Sequence, residues 1–531
     1  MKREEVLFLL IILAIAAFFR LWQLDSIPPG LYPDVAINGN DALDSLKTGN
    51  FKVFYPENNG REGLMMWLIA LSFSVFGVSI WSIKITAAIV GILTVFGLYL
   101  FTKELFSQCN EERARYIPFL ASFFLAVSFW HTNFSRIGFR AILVPFILVF
   151  GFYFLFRGFR EKKILYSIII SGILFGLGFY TYISYRFIVL LLPLILLFWF
   201  FIYQKQNLQK KFLLSIFYFL FSIFIIALPI GLYFLQHPQD FIGRAAPISI
   251  FAAENPIKEF GKSLILHLGM FNFYGDPNWR HNFSGSPMLP WPLGILFLIG
   301  IFVSFREIFR KSNYRNRNYQ LLSTFYFLLS TFFIMLLPGI LTYEGIPHAL
   351  RTIGVIPVVY IFVALGTSWL FNKLKNIYFT KKIKLFTVYC LLFTVLLTVG
   401  YSEFHKYFFC WAKNSEVKNA FSADYLKIGN YLNSLPDDVE KYVIVNRPGV
   451  PVPYPTGLPM PAQTIMFIEN MKYGSPQSTY LLPENLNRIK IDKKTVIVLM
   501  KYDENLFNEL AQKFPQGKSK KENEILIYEI K

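Results

Sequence analysis

The segment Pro33-Asp34-Val35-Ala36-Ile37-Asn38-Gly39-Asn40-Asp41-Ala42-Leu43 sets an acid directly behind a proline, the pattern of a short helix starting at Asp34 and stopping near Gly49. A carboxylate there can cap the helix through its side chain, or it can serve as a general base. The two roles are compatible, because a cap fixes where the carboxylate points. Arg61, in Asn58-Asn59-Gly60-Arg61-Glu62-Gly63, could hold a phosphate bidentately. The competing readings are a pair with Glu62 and a side chain reaching to lipid headgroups. Arg136 and Arg140 lie in Asn133-Phe134-Ser135-Arg136-Ile137-Gly138-Phe139-Arg140, and Tyr182 and Arg186 in Tyr180-Thr181-Tyr182-Ile183-Ser184-Tyr185-Arg186. Asp276, Arg280 and His281 cluster within Gly275–Asn282, and His348 and Arg351 follow Glu344 in Glu344–Arg351. Asp276 and His281 could join His267 around a divalent cation. The spacing fits no motif with known ligand mechanics, and Gly275-Asp276-Pro277-Asn278 reads equally as a turn, so no metal site is assigned. A Walker A loop, a GxGxxG fingerprint, CxxC and HExxH are all missing, and no nucleotide or soluble cofactor is expected.

These residues sit between apolar runs. A membrane span needs about 20 mostly apolar residues, and eleven runs qualify: 6–22, 81–101, 117–132, 141–156, 164–180, 187–203, 212–235, 291–305, 321–341, 353–371 and 385–401. The run 64–80 is shorter and dotted with Ser72, Ser74, Gly77 and Ser79, which suits a helix lying at the membrane surface. The short loops 157–163, 204–211, 306–317 and 373–384 carry 4, 3, 5 and 5 basic residues against only Glu161 and Glu307. They occur at every second loop, so the positive-inside rule makes them cytoplasmic. The loops 133–140, 181–186, 236–290 and 342–352 then face outward, and so does everything after the last span. If 64–80 does not cross, the N-terminus is inside and the loop 23–63 also faces outward; if it crosses, the N-terminus is outside and that loop is inside, and the surface helix is the favoured reading. Positive charge normally concentrates inside, so outward Arg61, Arg136, Arg140 and Arg186 favour an anionic ligand there, with phosphate the obvious candidate.

Composition agrees. The chain has 531 residues, 55% hydrophobic and 16% charged, whereas soluble domains average about 45–50% apolar and about 25% charged. A protein soluble throughout is excluded, as is a disulfide scaffold, because Cys109, Cys390 and Cys410 are three and widely spaced. The net charge of +19 would ordinarily raise nucleic-acid binding, but the four cytoplasmic loops hold 17 positives and 2 negatives, which is +15 of it. That charge orients the chain and implies no nucleic acid. The tail from about 403 differs: an amphipathic stretch at Ala420–Leu435 and β-like runs at Tyr442–Val445, Thr495–Met500 and Ile525–Ile530 predict a small α/β domain. The Pro-rich link Arg447–Pro461 is expected to be a loop across its surface. The expected division is therefore a transmembrane catalytic domain over 1–402, carrying outer loop 23–80, and an extracytoplasmic α/β domain over 403–531.

The loops resemble those of the GT-C membrane glycosyltransferases related to protein O-mannosyltransferases and the lipid A aminoarabinose transferase. The likeness is strongest in Pro28–Gly49, Asn58–Trp81, Ser135–Arg140, Gly275–Asn282 and Pro347–Arg351, and the run Tyr407–Leu435 is similar to bacterial members. The resemblance implies a polytopic α-helical protein of GT-C type in the cell membrane, with interfacial helices and a C-terminal α/β domain outside. It implies sugar transfer from a polyprenyl-phosphate donor to an extracytoplasmic protein, lipid or glycan, in one inverting displacement. Asp34 would be the catalytic base. Members often follow that aspartate with Glu, and here Val35 takes the place, removing a second carboxylate. Arg140 and Arg186, then Arg61 and Arg136, are the candidates for the donor phosphate. Tyr182, Asp276, Arg280, His281, His348 and Arg351 are the candidates for binding substrate. No cofactor is required, since the phosphate already activates the donor, although a divalent metal is compatible with the chemistry. The alternatives are a multi-span transporter, which the nearly charge-free span centres and missing repeat disfavour, and a GT-C polymerase or ligase using a diphosphate-linked donor.

Overall fold

The computed structural model describes residues 3–107, 112–160, 164–205, 209–243, 245–309, 319–380, 385–452, 457–522 and 525–530. Residues 161–163, 206–208, 310–317 and 381–384 of the four basic loops, and 453–456 of the Pro-rich link, lie outside them. The chain forms two compact units, one of residues 1–24 with 87–413, the other of 25–86 with 414–531. The division expected at 402 therefore differs from the one observed: most of the outer loop 23–80 belongs with the tail and not with the spans.

The first unit is built from apolar helices. Seven helices among the described residues are long and apolar enough to cross a membrane: Ile80–Leu105, Arg140–Arg160, Ile183–Phe200, Phe212–Gln236, Trp291–Phe309, Leu322–Ile340 and Ile353–Leu374. The expected run at 117–132 is a bent pair, Ile117–Val127 and Phe129–Arg136, turned by 57°. The break falls at Ser128, whose hydroxyl accepts from the His131 amide and so starts a new helix. The expected run at 164–180 gives a helix that is apolar but short, Ile164–Gly178. Trp291–Phe309 and Ile356–Thr380 approach closely because Gly300 and Gly366 lie at their contact. A Cβ at either would stand 1.9 Å from a carbonyl oxygen of the other helix, the small-residue contact usual between membrane helices. On Phe212–Gln236, Phe217, Phe221 and Phe224 are all more than half exposed, an arrangement that lipid, not water, accommodates.

The second unit begins with the helix Pro33–Thr48. Pro33 at its first position and Gly49 beyond its end, at φ +73°, mark both termini. A two-stranded hairpin follows, β1 (Phe54–Tyr55) against β2 (Arg61–Glu62), then the helix Leu64–Phe76. Its 13 residues extend about 20 Å, short of the roughly 30 Å of bilayer hydrocarbon. Leu64–Phe76 is thus an apolar helix with fewer residues than a straight span needs.

The tail supplies β3 (Glu440–Ile444), the short pair β4 (Pro451–Val452) and β5 (Leu458–Pro459), β6 (Thr479–Leu481), β7 (Thr495–Leu499), β8 (Lys518–Glu522) and β9 (Ile525–Ile530). One sheet runs in the order β6-β3-β7-β9-β8. β3 is parallel to both β6 and β7, with Val443 opposite Tyr480 and Val498, while β9 is antiparallel to β7 and to β8. Alternate residues face opposite layers. Val443, Val498 and Ile527 pack with Tyr425, Leu432, Ile465 and Met466 of the helices Ala423–Ser434 and Ala462–Tyr473. Tyr442, Ile497 and Tyr528 pack with Leu506 and Leu510 of Glu504–Lys513 on the other face. The lysines of β8 blunt the exposed edge.

The aspartate helix joins this domain through polar groups in the interior. Asn40 Nδ2 donates to Gln463 Oε1 at 2.8 Å, and Asn470 Nδ2 donates to Asn40 Oδ1 at 2.8 Å. Thr464 Oγ1 donates to the Leu31 carbonyl at 3.0 Å.

Candidate active site

In the second unit, Asp34 occupies the second position of its helix and is half-buried. The cap position belongs to Tyr32, which makes no side-chain capping bond. The expected capping role is thus corrected: Pro33 carries no N–H, and the carboxylate looks elsewhere. Asp34 Oδ1 accepts from Asn58 Nδ2 at 3.0 Å. Asn58 stands in the β1–β2 turn at φ +54°, followed by Asn59 at +60° and Gly60 at +87°. Left-handed backbone is strained for residues with a side chain, although Asn tolerates it best. The strain is the conformational cost of aiming Asn58 at Asp34.

Asp34, Asn38 and Asp41 follow one another at i, i+4 and i+7, so they share one face of the helix. Arg61 meets the lower part of that face. Its Nη1 lies 2.5 Å from Asp41 Oδ2 and donates to Asn38 Oδ1 at 3.1 Å, while its Nε donates to the Glu57 carbonyl at 3.1 Å. Glu57 Oε2 is 3.7 Å from Nη2. The Arg61 side chain is wholly buried. Burial pushes the Asp41 carboxyl above its usual range while Arg61 pulls against it. Arg61 therefore pins the hairpin to the aspartate helix, and the expected pair with Glu62 is replaced by Asp41 and Glu57. Sequence reasoning singled out Arg61 but passed over Asn58, Asn38 and Asp41, although the helical spacing of the last two from Asp34 was visible.

In the first unit, residues 275–282 and 347–351 converge on Asp276. Its Oδ1 accepts from the Asn278 amide at 2.8 Å, and its Oδ2 accepts from the Ala349 amide at 2.7 Å. The same Oδ2 lies 2.9 Å from His281 Nδ1 and 3.8 Å from His348 Nδ1. The three ligand atoms lie within 4.8 Å of one another, a spacing a divalent cation could bridge. The trio differs from the one the sequence suggested: His348 takes the third place. His267 stands behind it, its Nε2 accepting from the His348 amide at 3.2 Å. Burial lowers His267 to about 4 and holds His348 well below its ordinary value. Both imidazoles are neutral at pH 7, as metal ligands or hydrogen-bond acceptors must be. Gly339 makes room for His267, since a Cβ there would stand 2.5 Å from Nε2.

Arg280 and Arg351 flank this cluster. Arg280 donates through Nε to Asn278 Oδ1 at 3.3 Å, and its carbonyl accepts from Asn133 Nδ2 at 2.7 Å. Arg351 Nη1 donates to Thr342 Oγ1 at 2.8 Å and to the Glu344 carbonyl at 2.7 Å. The rings of Phe134 and Phe139 lie 5.7 and 6.1 Å from that of His281, which ties the Asp276 loops to the segment carrying Arg136 and Arg140. Arg140 is buried, its guanidinium 5.4 Å from the centre of the Tyr182 ring. Arg186 is half-buried over Phe241, at 4.4 Å, and donates to that residue's carbonyl at 2.6 Å. Arg136 is committed differently. It is wholly buried and donates to the carbonyls of Phe19, Trp22 and Gln23 at 3.0, 2.8 and 3.1 Å, where the first helix, Arg3–Leu21, ends.

Whole-chain similarity places this architecture. ArnT from Cupriavidus metallidurans, bound to undecaprenyl phosphate, aligns with 99% of this chain over 97% of its own length, at TM-score 0.55 and 12% identity. Its apo state aligns at TM-score 0.53 and 11% identity, over 99% of this chain and 97% of its own. The fold is GT-C. A second GT-C structure, the archaeal oligosaccharyltransferase AglB from Archaeoglobus fulgidus with an inhibitory peptide and a dolichol-phosphate, aligns at TM-score 0.50 and 14% identity. That match covers 84% of this chain and 62% of AglB. Residues 64–233 match the family of dolichyl-phosphate-mannose-protein mannosyltransferases, 170 of the 531 residues. No curated protein matches the chain in sequence. The chain is thus a multi-pass membrane protein similar to the GT-C transferases that use polyprenyl-phosphate donors.

Proposed function

We propose that this GT-C protein transfers a sugar from a polyprenyl-phosphate donor to an acceptor hydroxyl outside the cytoplasm, with Asp34 as general base. The observation that carries the reading is the Asp34 carboxylate itself. It is half-exposed, it is not engaged in capping, and Asn58 fixes its orientation. Asp34 takes the acceptor proton as the acceptor oxygen forms its bond to the anomeric carbon. The bond from that carbon to the phosphate oxygen breaks, its electron pair leaves with the polyprenyl phosphate, and the anomeric configuration inverts. Arg140 and Arg186 take up the charge that develops on the phosphate. Both guanidiniums lie over aromatic rings, a contact that engages the guanidinium face and orients its N–H edge, the part that recognises phosphate. Tyr182, Asp276, Arg280, His281, His348 and Arg351 are assigned to sugar and acceptor recognition, and the tail domain to the extracytoplasmic side.

A divalent cation on Asp276, His281 and His348 would act there as a clamp on oxygen ligands. The displacement does not require it, because the phosphate is already a good leaving group. The support from similarity is the undecaprenyl phosphate of ArnT and the dolichol-phosphate of AglB. Asp34→Asn tests the reading: transfer of labelled sugar from a polyprenyl monophosphate donor should fall about 10²–10⁴-fold with folding intact. Transfer at the wild-type rate would remove Asp34 from the chemistry. Transmembrane movement of ligand with no covalent transfer would favour a transporter.

A further inference from the structure

The tail domain has the layout of an open α/β sheet with a binding crevice, a feature that sugar transfer at Asp34 leaves unexplained. β3 is the first strand of its sheet. The chain leaves it to form β6 on one side, then returns to form β7 on the other, with all three parallel. The connections that leave the carboxyl ends of β3 and β7 thus run in opposite directions, and ligands of open α/β sheets bind at such a switch point. A cavity of about 500 Å³ lies there, within the usual size of small-molecule sites, roughly 300–1,000 Å³.

Its lining is basic and aromatic. Arg447 follows β3, Lys501 and Tyr502 follow β7, Lys427 comes from the helix Ala423–Ser434, Lys521 from β8, and Phe507 from Glu504–Lys513. The one acid in the lining, Asp424, is 77% exposed and stands 3.6 Å from Lys427 Nζ, so four cations face one carboxylate. The two strand ends are held in register by a reciprocal pair: Asn446 Nδ2 donates to the Lys501 carbonyl at 2.7 Å and Asn446 Oδ1 accepts from the Lys501 amide at 2.9 Å. Arg447 Nε is shielded from solvent and makes no hydrogen bond among the described residues. A lysine-rich surface serving only solubility needs neither a cavity nor a shielded guanidinium nitrogen.

We propose that this cavity binds a small molecule bearing an oxyanion, phosphate or carboxylate, on Arg447 and the three lysines, with its ring or alkyl part against Tyr502 and Phe507. The inference is independent of the role given to Asp34. It is tested by lysine acetylation, read by mass spectrometry, on the full-length protein in nanodiscs of zwitterionic lipid. Inorganic pyrophosphate is titrated in one arm and glucuronate in the other, at constant ionic strength. Saturable protection of Lys427, Lys501 and Lys521 is expected in at least one arm, with Lys518 and Lys490 unprotected, and the protecting arm identifies phosphate or carboxylate. Arg447→Gln, or Lys501→Gln read at Lys427 and Lys521, should raise the half-protecting concentration about tenfold, the loss of one charge-assisted contact. The proposal is overturned by no protection in either arm, by equal protection at Lys518, or by an unchanged half-protecting concentration in both variants.

Discussion

Replacing Arg61 separates two roles that an outward arginine can play. In Arg61→Gln, Asp41 and Glu57 lose their cation while remaining only 16% exposed in the side chain. Removing one partner of a buried ion pair costs about 3–5 kcal/mol, because the other charge stays behind. The partial exposure of both acids argues for the lower end, about 3 kcal/mol. In a unit of this size each kcal/mol shifts the melting temperature by about 2–4 °C, so a loss of roughly 6–12 °C is expected in thermal unfolding of the purified protein. Asp41→Asn combined with Arg61→Gln removes the orphaned charge. The double variant should therefore be more stable than the sum of the single losses by about 1–2 kcal/mol. Activity should respond through position. The hairpin that carries Asn58 loosens, so kcat falls about tenfold while the donor KM stays level, the pattern of an interaction felt in the transition state. The reasoning fails if Arg61→Gln melts within about 2 °C of wild type while its donor KM rises tenfold or more. That outcome would place Arg61 on the donor phosphate, as its sequence setting first suggested.

Three further outcomes follow from the other side chains. Arg140→Gln should raise the donor KM by one to two powers of ten, about the loss of one charge-assisted contact to phosphate, as measured by initial rates against donor concentration. Arg136→Gln should leave the donor KM unchanged and cost about 3 kcal/mol of stability, since three carbonyls at the end of the first helix lose their donor; a level melting temperature with a raised KM would reverse that assignment. Prolonged dialysis against EDTA should leave the transfer rate within about twofold, because the phosphate leaving group needs no Lewis acid to depart; a loss restored by zinc would put a working metal on Asp276, His281 and His348.

The strands of the tail were legible because β3, β7 and β9 are short apolar runs between turn residues, and the end of the helix Leu64–Phe76 was legible in the Gly77 that follows it. The attachment of residues 25–86 to that tail was not. It rests on Asn40 reaching Gln463 and Asn470, 423 and 430 positions away in the chain, and no local pattern announces a polar contact over such a distance. Asn58 escaped notice for a related reason: the contact with Asp34 exists only because three successive residues take left-handed backbone. Asn-Asn-Gly permits that conformation without requiring it.

The arginines carry the more general lesson. An outward arginine in a membrane protein looks like a phosphate ligand because positive charge belongs on the other side. Yet helices that end or break inside a packed membrane domain leave carbonyls without partners, and a guanidinium with five donors is the side chain best suited to them. Arg136 closes the end of the first helix in this way. Arg20 does the same at the break after Val127, donating to the Ala126 and Leu125 carbonyls at 2.8 and 3.2 Å and meeting His131 Nδ1 at 2.7 Å. Arg61 has carboxylates instead. Arg186 is bound in a similar way, to the Phe241 carbonyl near the end of Pro238–Ile242, and the guanidinium of Arg136, like those of Arg140 and Arg186, lies over aromatic rings. Charge count alone gave four candidates, and the carbonyls at the end of the first helix account for the buried Arg136 without any ligand.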